Sequence, residues 1–490
     1  MPQNEQTSPA LTSQQTDKVA QLLASTPVVG ELGELFAAAG HELYLVGGPV
    51  RDALLGVLQH DLDFTTSARP DEIEKLLRGW TKAVWDIGKD FGTIGAQKKS
   101  AGTTWQIEIT TFRADIYRSD SRKPEVNFGD DIAGDLVRRD FTVNAMAHDV
   151  VNQRFVDPYG GLADLAACVL RTPFTAERSF SDDPLRMMRA ARFASQLQFT
   201  VAPDVQRAMT EMADRIGIIS AERVRDELSK LLLTDHPRPG LNLLVTTGLA
   251  DRVLPELSAL RQTQDEHNRH KDVYVHSLVV LDQAIALEKS RGHQPDLVLR
   301  LAALLHDIGK PATRVFEDDG SVSFHHHDLV GAKLARKRMR ALRFPTDQTK
   351  AVSQLVEQHL RFHGYGDGSW TDSAVRRYVR DAGDQLERLH ILTRSDCTTR
   401  NQRRAARLRA AYDDLERRIE VLAEREELDS MRPDLNGDQI MQILGLRPGR
   451  EVGEAYKFLF EKRIDQGQLG PERAEQELRA WWQQRQTGAN

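Results

Sequence analysis

Apolar residues follow two different periods along this chain, and the change between them divides it into a mixed part and a helical part. Up to about residue 170, the helical segment VVGELGELFAAAG is followed by alternating segments such as HELYLVGG and TWQIEITTFRAD. Alternation at every second residue predicts β-strands. From about Asp182 onward the apolar residues recur at helical spacing. The pattern predicts an α+β fold, with a small mixed sheet followed by a mostly all-α remainder.

Clusters of polar residues, Pro and Gly suggest where this chain changes from one domain to the next. The Gln-, Ser- and Thr-rich start has too few apolar residues to pack, which predicts disorder. The predicted segments are a disordered N-terminus at 1–27, a sheet-containing head at 28–172, a helical neck at 173–265, a middle domain at 266–400 and a helical tail at 401–490.

Composition narrows the class of protein. Hydrophobic residues make up 40% of the 490 residues, no apolar run is long enough to cross a bilayer, and the first residues lack the features of a secretory signal. With Cys168 and Cys397 as the only cysteines, a disulfide framework is excluded and a cytoplasmic location is expected. A net charge of −6 means that any nucleic-acid surface must be local. Arginine clusters that could form one lie at 138–139, 336–340, 376–377 and 403–404.

The strongest chemical signal lies in LVGGPVRDALLGVLQHDLDF. Gly47 and Gly48 end a predicted strand and allow backbone N–H groups to approach a phosphate, with Arg51 close behind. Asp61 and Asp63 lie two residues apart on the next predicted strand and therefore point to the same face. Paired carboxylates suit Mg²⁺, and Glu108, on a later strand, is a candidate third ligand.

Together, the GG, RD and Asp-x-Asp elements resemble the signature of the polymerase β-type nucleotidyltransferase superfamily. The flanking residues narrow the resemblance to class II tRNA nucleotidyltransferases and related bacterial poly(A) polymerases. Further motifs follow in the family's order: KDFGTIG, EITTFRAD, DLVRRDFTVNAMA, VDPYGGLADL, SDDPLRMMRAARFASQLQF and SAERVRDELSKLLL. The resemblance implies template-independent addition of C, C and A to the 3′ end of tRNA, with CTP and ATP as substrates and Mg²⁺ as cofactor. It also implies that Arg139 binds nucleotide or phosphate and that Asp140 is the acid of its motif.

The segment SDDPLRMMRAARF resembles the family's nucleotide-selecting helix. Asp183 and Arg186 are three residues apart, so on a helix they would share a face and present an acceptor and a fork of donors to one base edge. That pattern fits cytosine and adenine better than guanine or uracil. Arg189 and Arg192 continue the face, and the resemblance implies that they reach toward the triphosphate. Alternatively, Asp183 caps the helix and the arginines form ion pairs.

A second group of candidate residues occupies the middle domain. His276, the pair His306-Asp307 and Asp396 provide nitrogen and oxygen ligands for a divalent metal whose identity is open. These residues resemble the HD superfamily of metal-dependent phosphohydrolases, and His327 and His359 lie where its two-metal members have extra histidines. If this site is active, a 2′,3′-cyclic phosphate or 3′-phosphate on damaged tRNA is the expected substrate. A purely structural metal site is the alternative.

The tail is predicted to bind tRNA. It resembles the family's body and tail, and a turn from Arg447 to Gly453 would present backbone donors and Arg450 to a phosphate. Arg403 and Arg404 are further candidate RNA-binding residues. An ordinary helical hairpin is the alternative.

Three functions are consistent with these motifs. The first is full CCA addition, without a membrane or an obligate protein partner. The second is a poly(A) polymerase or an enzyme that adds only CC or only A; the intact Asp183 and Arg186, and a loop at 118–131 long enough to reorder, favour the first. The third is an HD phosphohydrolase with an inactive head, which the intact Asp61 and Asp63 argue against.

Overall fold

The computed structural model describes residues 26–487, except for 58–59, 89–91, 114–127, 130, 263–271, 319–320, 363–364, 366–369, 399–400 and 427–431. It divides into two compact units, Met1–Ser258 and Ala259–Asn490. The predicted disordered segment lies outside the described residues as far as residue 25, and the first described helix begins inside it, at Pro27. The predicted loop at 118–131 also falls almost wholly outside the described residues.

A seven-stranded mixed sheet forms the centre of the first unit, as the alternating segments predict. Its strands are β1 (Leu43–Val46), β2 (Asp61–Thr66), β3 (Ala83–Gly88), β4 (Thr93–Ser100), β5 (Thr103–Thr111), β6 (Ala147–Asp149) and β7 (Arg154–Val156). They are ordered β3-β4-β5-β2-β1-β6-β7. Only the β2–β5 pairing within this sheet is parallel, and its register sets Asp63 opposite Glu108.

Short helices surround this sheet in the head. They are α1 (Pro27–Ala38), α2 (Gly48–Leu54), α3 (Pro70–Trp80), α4 (Ile132–Val137) and α5 (Gly161–Ala167), with a 3₁₀ turn at Thr142–Asn144. Helix α1 buries Val28, Leu32 and Phe36, which are spaced for one helical face. Gly40, in the left-handed region, follows the helix and redirects the chain into β1.

The rest of the first unit is almost entirely helical, in agreement with the change of period near residue 182. Its helices are α6 (Ala176–Asp182), α7 (Leu185–Leu197), α8 (Pro203–Glu211), α9 (Ala221–Leu232), α10 (Arg238–Thr246), α11 (Ala250–Val253) and α12 (Pro255–Ala259), with a 3₁₀ turn at Ala213–Ile218. A short parallel pair, β8 (Val169–Leu170) with β9 (Thr200–Val201), joins the head to these helices. Both α9 and α10 pack against α7.

The second unit begins with a group of helices that carry the predicted metal ligands. They are α13 (Val273–Ser290), α14 (Leu297–Leu305), α15 (Lys310–Thr313), α16 (His327–Ala341), α17 (Thr346–Gln358), α18 (Asp372–Ala382) and α19 (Leu386–Asp396), with 3₁₀ turns at Leu260–Gln262 and Gly383–Gln385. A small hairpin of β10 (Val315–Phe316) and β11 (Val322–Ser323) connects α15 to α16. Helix α14 is apolar and almost fully buried, which places the residues at its end deep inside the unit.

The tail consists of the long α20 (Gln402–Glu426), then α21 (Gly437–Leu444), α22 (Arg450–Gln466) and α23 (Pro471–Thr487). The last three share a small core that includes Ile440, Leu459 and Leu478. The predicted turn from Arg447 to Gly453 is shorter than expected, because α22 begins at Arg450. No described helix is long and apolar enough to cross a membrane.

Arg300 on α14 is the largest fully buried side chain in the described chain. Its Nη2 donates to Glu288 Oε2 at 2.6 Å, and Glu288 Oε1 accepts the backbone N–H of Asp296 at 2.5 Å. Breaking a buried pair leaves one charge without compensation, which costs far more than losing an exposed pair. The Arg300–Glu288 pair therefore connects the start of α14 to α13.

We expect Arg300→Met to lower the free energy of unfolding of the second unit by about 3–5 kcal/mol, because Glu288 stays buried and unpaired. Replacing both residues, with Arg300→Met and Glu288→Leu, should recover most of that loss. Arg388→Met, which removes a partly exposed pair with Asp296, is the control and should cost about 0–1 kcal/mol. Denaturant unfolding of the four proteins measures this, and equal losses in Arg300→Met and Arg388→Met would contradict the assignment.

Candidate active site and metal centre

A cavity of about 480 Å³ lies in the first unit, between the head sheet and helix α7. All eight predicted nucleotide-binding residues line it, namely Gly47, Gly48, Arg51, Arg139, Asp183, Arg186, Arg189 and Arg192, and so do Asp61 and Asp63. Its volume is within the range of small-molecule sites. The structure therefore brings the predicted acids and arginines, far apart in sequence, into one cavity.

The acids lie on the two parallel strands in the middle of the sheet. Asp61 and Asp63 occupy the same face of β2, and Glu108 is the β5 partner of Asp63. Burial raises the pKa of Asp63, as does nearby Asp61, while Arg139 opposes the rise. Burial also raises the pKa of Glu108, and Asp63 and Asp61 add to the rise. Mutual repulsion of this kind is typical of carboxylates that share a cation.

Gly47 shows why the strand must end in glycine. Its φ of 73° lies in the left-handed region, and a Cβ there would come within 2.9 Å of Arg139 Nη1. Any larger residue would be strained and would also push Arg139 out of the cavity. Gly47 thus leaves room for this guanidinium close to the Asp63 carboxylate.

The arginines of the cavity are held by a continuous polar network. Arg51 donates from Nη1 to Asn144 Oδ1 at 2.6 Å, and Asn144 Nδ2 donates to Asp140 Oδ1 at 2.9 Å. Asp140 Oδ2 then accepts Arg189 Nε at 2.7 Å. Although burial alone would raise the pKa of Asp140, Arg189 and Asn144 hold it well below its usual range. Asp140 is therefore a charged anchor between the head and α7.

Glu227 on α9 extends the network to the far side of α7. It accepts Arg192 Nε at 2.7 Å, and its other oxygen lies 3.7 Å from Arg189 Nη1. Glu227 is only 4% exposed, so its charge acts in a medium of low dielectric. Two of the predicted nucleotide-binding arginines are thus oriented by one buried carboxylate.

The predicted helical placement is wrong for Asp183, whereas Arg186 lies on α7 as predicted. Asp183 lies outside both helices, after the end of α6 and before α7, because Pro184 forces a break. Its Oδ1 caps α7 by accepting Leu185 N–H at 3.1 Å, and its Oδ2 pairs with Arg223 at 3.1 Å. Arg186 donates to Ser179 Oγ at 2.9 Å and to the Arg138 carbonyl. Both residues nevertheless line the same cavity.

Four residues of the site were missed at the level of sequence. Asn144, Arg223 and Phe193 line the cavity, and Glu227 lies behind it. Asn144 and Glu227 sit inside motifs already quoted, DFTVNAMA and SAERVRDELSKLLL, so the residue type was visible. The roles of these two residues could not be predicted from the sequence, because each acts through a residue on another helix or strand.

In the second unit, two groups of candidate metal ligands meet at the end of α14. The first is His276, His306 and Asp396, and the second is Asp307, His327 and His359, with all ligand atoms of a group within 4.8 Å of one another. The groups adjoin, since His306 Nε2 is 3.2 Å from Asp307 Oδ2. All six predicted ligands therefore converge in two adjoining groups.

Three of the histidines are oriented in the same way. Nδ1 of His306, His327 and His359 lies 2.9, 2.7 and 2.7 Å from the backbone carbonyl three residues earlier. A carbonyl partner fixes the proton on Nδ1 and leaves Nε2 as the ligand atom. In His359 the buried Nε2 has no hydrogen-bond partner within the described residues. This donor set therefore fits a divalent metal ion.

The charges in this centre are strongly coupled. Burial disfavours a charged His306, but Asp307 and Asp396 outweigh it and raise its pKa to about 10. Burial and the neighbouring His306 lower the pKa of His359 to about 4, so its imidazole is neutral. His306 and Lys310 hold the pKa of Asp307 below its usual range despite burial. The anionic groups of this centre are the carboxylates of Asp307 and Asp396, which lie among four histidines.

Gly309, which has no side chain, allows the start of α15 to lie close to α16 beside these ligands. A Cβ on Gly309 would lie 2.0 Å from the His327 carbonyl oxygen. No other residue fits there, so the sequence HDIGK brings Asp307 and His327 together. Lys310, next in the chain, pairs with Asp307 at 2.9 Å.

The predicted RNA-binding residues of the tail do not converge on a described site. Arg403 and Arg404 are exposed near the start of α20. Arg450, the first residue of α22, has a side chain that is 92% exposed and pairs with Glu454. Their RNA-binding role stays a prediction.

Three domain models match the chain in order. They describe a poly A polymerase head domain at residues 43–171, a probable RNA and SrmB-binding site of polymerase A at 198–260, and an HD domain at 273–401. The cavity lies across the first model and the helices that follow it, and the six histidine and aspartate ligands all lie within the third.

Several named proteins are similar in sequence. The A-adding tRNA nucleotidyltransferase of Deinococcus radiodurans is 34% identical over 453 residues, covering 90% of this chain and 94% of that protein. The Multifunctional CCA protein of Azoarcus sp. is 34% identical over 380 residues, covering 76% and 82%. The CCA-adding enzyme of Lactiplantibacillus plantarum is 41% identical over 244 residues, covering 50% and 56%.

Solved structures share the fold. The Bacillus stearothermophilus CCA-adding enzyme in complex with CTP matches with a TM-score of 0.63 at 23% identity, covering 98% of this chain and 100% of that one. The Thermotoga maritima CCA-adding enzyme complexed with tRNA matches with a TM-score of 0.59 at 18% identity, covering 95% and 98%. At these identities the likeness supports the architecture alone.

Proposed function

Because this chain belongs to the family of tRNA nucleotidyltransferases that includes CCA-adding and A-adding enzymes, we propose that it adds C, C and A to the 3′ end of tRNA. CTP and ATP are the nucleotide substrates, pyrophosphate is the product, and no protein partner is needed. The observation that carries the proposal is the single cavity that contains Asp61 and Asp63 on one element and Asp183 and Arg186 on another. This cavity contains both the residues proposed for catalysis and the residues proposed for base selection.

The three head carboxylates are proposed to hold Mg²⁺. When bound, Mg²⁺ neutralises charge on the triphosphate and favours ionisation of the attacking 3′-hydroxyl. Asp61 and Asp63 face the cavity and would orient the cation toward the nucleotide. Glu108, opposite Asp63 on β5, would contribute a third carboxylate from the neighbouring strand.

Arg139 and Arg51 are proposed to hold the triphosphate. Asp135, fully buried, accepts Arg139 Nη2 at 3.2 Å and fixes that guanidinium. Arg51 is oriented by Asn144 and Asp52. Arginines held in this way lose little freedom on binding, so their charge is available to the phosphates at low cost.

Asp183 and Arg186 are proposed to read the base. Asp183 would accept the amino group of cytosine or adenine, and Arg186 would donate to the neighbouring ring positions. In the described structure Arg223 occupies one oxygen of Asp183. Arg223 would therefore hold the Asp183 side chain at the edge of the cavity between turnovers.

Addition of A alone is the second candidate. The D. radiodurans relative, similar along 90% of this chain, is named for A addition. The Asp183 and Arg186 pair suits either base, so the cavity alone favours neither candidate over the other. A poly(A) polymerase would not require tRNA as the acceptor. Activity on different RNA acceptors therefore distinguishes these candidates.

The histidine and aspartate centre is proposed to be a second active site, a phosphohydrolase with two divalent ions. The unshared Nε2 of His359 and the matched Nδ1 contacts support metal binding. The Azoarcus relative is named multifunctional, which supports a second activity. A terminal phosphate on RNA is the proposed substrate.

An HD hydrolase with an inactive head is disfavoured, because Asp61, Asp63 and Glu108 are brought together.

We also propose that the tail contacts the tRNA through Arg403, Arg404 and Arg450, all exposed. The two cysteines, Cys168 and Cys397, are free. Free thiols and a tRNA substrate favour the cytoplasm as the location.

The acceptor end distinguishes the first two candidates. We expect purified protein to extend tRNAs that lack CCA, that end in the first C, and that end in CC, in each case to CCA with labelled CTP and ATP. Asp63→Ala should abolish transfer to all three, because Mg²⁺ is lost, while tRNA affinity stays nearly unchanged. Extension of only the tRNA ending in CC would establish A addition instead, and extension of unrelated RNA would favour a poly(A) polymerase.

We expect Arg186→Ala to weaken discrimination between CTP and UTP. A bidentate contact to a base contributes about 1–3 kcal/mol of discrimination, which corresponds to about one to two orders of magnitude in the ratio of kcat/KM values. The measurement is that ratio on tRNA lacking CCA, with Arg207→Ala, an exposed arginine on α8, as the matched control. A uniform loss of rate at a constant ratio would mean that Arg186 supports the fold.

Metal content tests the second site. In an Asp63→Ala background, so that the head contributes no ion, we expect two transition-metal ions per chain after loading with Mn²⁺ and dialysis. His359→Ala and His276→Ala should each remove one ion, because they belong to different ligand groups. His293→Ala, which removes an exposed histidine, should retain both. A wild-type content below two would contradict the two-ion centre.

A further inference from the structure

The metal-ligand helices lead into two exposed basic surfaces. Helix α16 begins with the ligand His327, and along one face it then presents Lys333, Arg336, Lys337 and Arg340. All four are exposed, and none forms an ion pair with any described residue. These residues are spaced i, i+3, i+4 and i+7, so they form a single stripe. We name this stripe the α16 cationic face.

Helix α20 repeats the arrangement after another ligand. Asp396 ends α19, and α20 begins at Gln402. None of residues 402–411 is buried, and this stretch contains Arg403, Arg404, Arg407 and Arg409 but no acid. A helix end that has no buried residue and carries one sign of charge is suited to a polyanion. The contrast with the net charge of −6 indicates that these cations are concentrated locally.

An exposed aromatic ring lies on the connection between the two ligand-bearing segments. Phe316, in the hairpin that joins α15 to α16, is 70% exposed, the most of any large apolar side chain described. The guanidinium of Arg314 lies 5.1 Å from its ring centroid. Leu329, 42% exposed, begins the same face of α16 as the cations. Exposed rings beside cations are typical of surfaces that stack bases of single-stranded nucleic acid.

We propose that the α16 cationic face, the start of α20 and Phe316 bind a single strand of RNA whose phosphorylated 3′ end lies in the histidine and aspartate centre. This proposal rests on the proposed phosphohydrolase function. The rise of a helix, about 1.5 Å per residue, places Lys333 about 9 Å and Arg340 about 20 Å from His327 along α16. That length matches about six nucleotides at about 3.4 Å each. The surface thus guides a strand and the centre receives its terminal phosphate.

RNA fits these observations better than an acidic polypeptide does. Both would satisfy the cations, but only nucleic acid has bases to stack on Phe316. The terminal phosphate of an RNA strand would also bind at the metal ligands, which accounts for a basic surface that leads to them. A carboxylate-rich polypeptide has no terminal phosphate. Phe316 is therefore the residue that separates the two kinds of partner.

The experiment measures binding by the full chain of a short fluorescent RNA ending in a 3′ phosphate, as a function of salt. Lys333→Glu and Lys337→Glu should each lower the slope of log Ka against log salt by about 0.7, the value for one lost contact on a single strand. Lys289→Glu, an identical substitution of an exposed lysine at the far end of α13 from His276, is the matched control and should leave the slope unchanged. Equal slopes in all three variants would overturn the proposal.

Two further arms identify the partner and the register. Phe316→Ala should weaken RNA binding at least about fivefold, as loss of one stacked base does; no change, with polyglutamate competing as well as RNA, would overturn RNA as the partner. RNA ending in a 3′ phosphate should bind more tightly than RNA ending in a 3′ hydroxyl, and His359→Ala should abolish that preference. Equal affinity in the wild type would overturn the link between the surface and the centre.

Failure of the proposed phosphohydrolase function would give a different experimental result from failure of the RNA-binding proposal. Release of phosphate from 4-nitrophenyl phosphate tests the centre without any RNA contact. If the wild type releases none while the salt slopes and the 3′-phosphate preference hold, the RNA surface is correct and the hydrolase assignment is wrong. Melting temperatures equal to that of the wild type show that the surface variants are folded.

Discussion

The first unit depends on how its five predicted nucleotide-binding arginines, among the seven that line the cavity, can lie close together without repelling one another. Each is held by a fixed acceptor: Arg139 by Asp135, Arg189 by Asp140, Arg192 by Glu227, Arg51 by Asp52 and Asn144, and Arg186 by Ser179 and a carbonyl. Four of these acceptors, Asp52, Asp135, Asp140 and Glu227, are buried carboxylates. Their charges allow the arginines to stay close together and oriented before any anion binds. The cavity is therefore preorganised for an anionic ligand.

The network also decides which elements must move together. Asn144 and Asp140 belong to the head, whereas Arg189 belongs to α7 and Glu227 to α9. A displacement of α7 relative to the sheet would separate Asp140 from Arg189 and expose a buried charge. Because that is costly, the acids on β2 and the residues proposed to read the base, near α7, keep a fixed separation. A constant distance between the reacting phosphate and the base edge is what a protein template requires.

Sequence patterns predicted the parts of this structure that depend on local periodicity. The strand through Asp61 and Asp63 and the glycines that end β1 were predicted because strand alternation and left-handed φ are properties of neighbouring residues. The helical placement of Asp183 failed because Pro184 breaks the helix at that point. Asn144, Glu227 and Arg223 were missed because they act through partners between about 40 and 90 residues away, as in the pairs Asp183–Arg223 and Arg51–Asn144. In the second unit the ligands were predicted by residue type, but the shared Nδ1 contacts that orient them required the backbone.

The two proposed metal sites differ in how many ligands the protein itself brings together. Among the described residues, the six ligands of the second unit form two groups with ligand atoms within 4.8 Å, and the head carboxylates form no such group. Mg²⁺ is commonly held by one or two carboxylates together with substrate phosphates. An incomplete carboxylate set therefore suits a cation that arrives with its nucleotide, so that the head is fully assembled only when substrate is bound. Imidazole-rich sites hold transition metals without help from substrate, which suits a resident centre. In this proposal the head site would be completed by its substrate, whereas the site in the second unit would be completed by the chain's own helices.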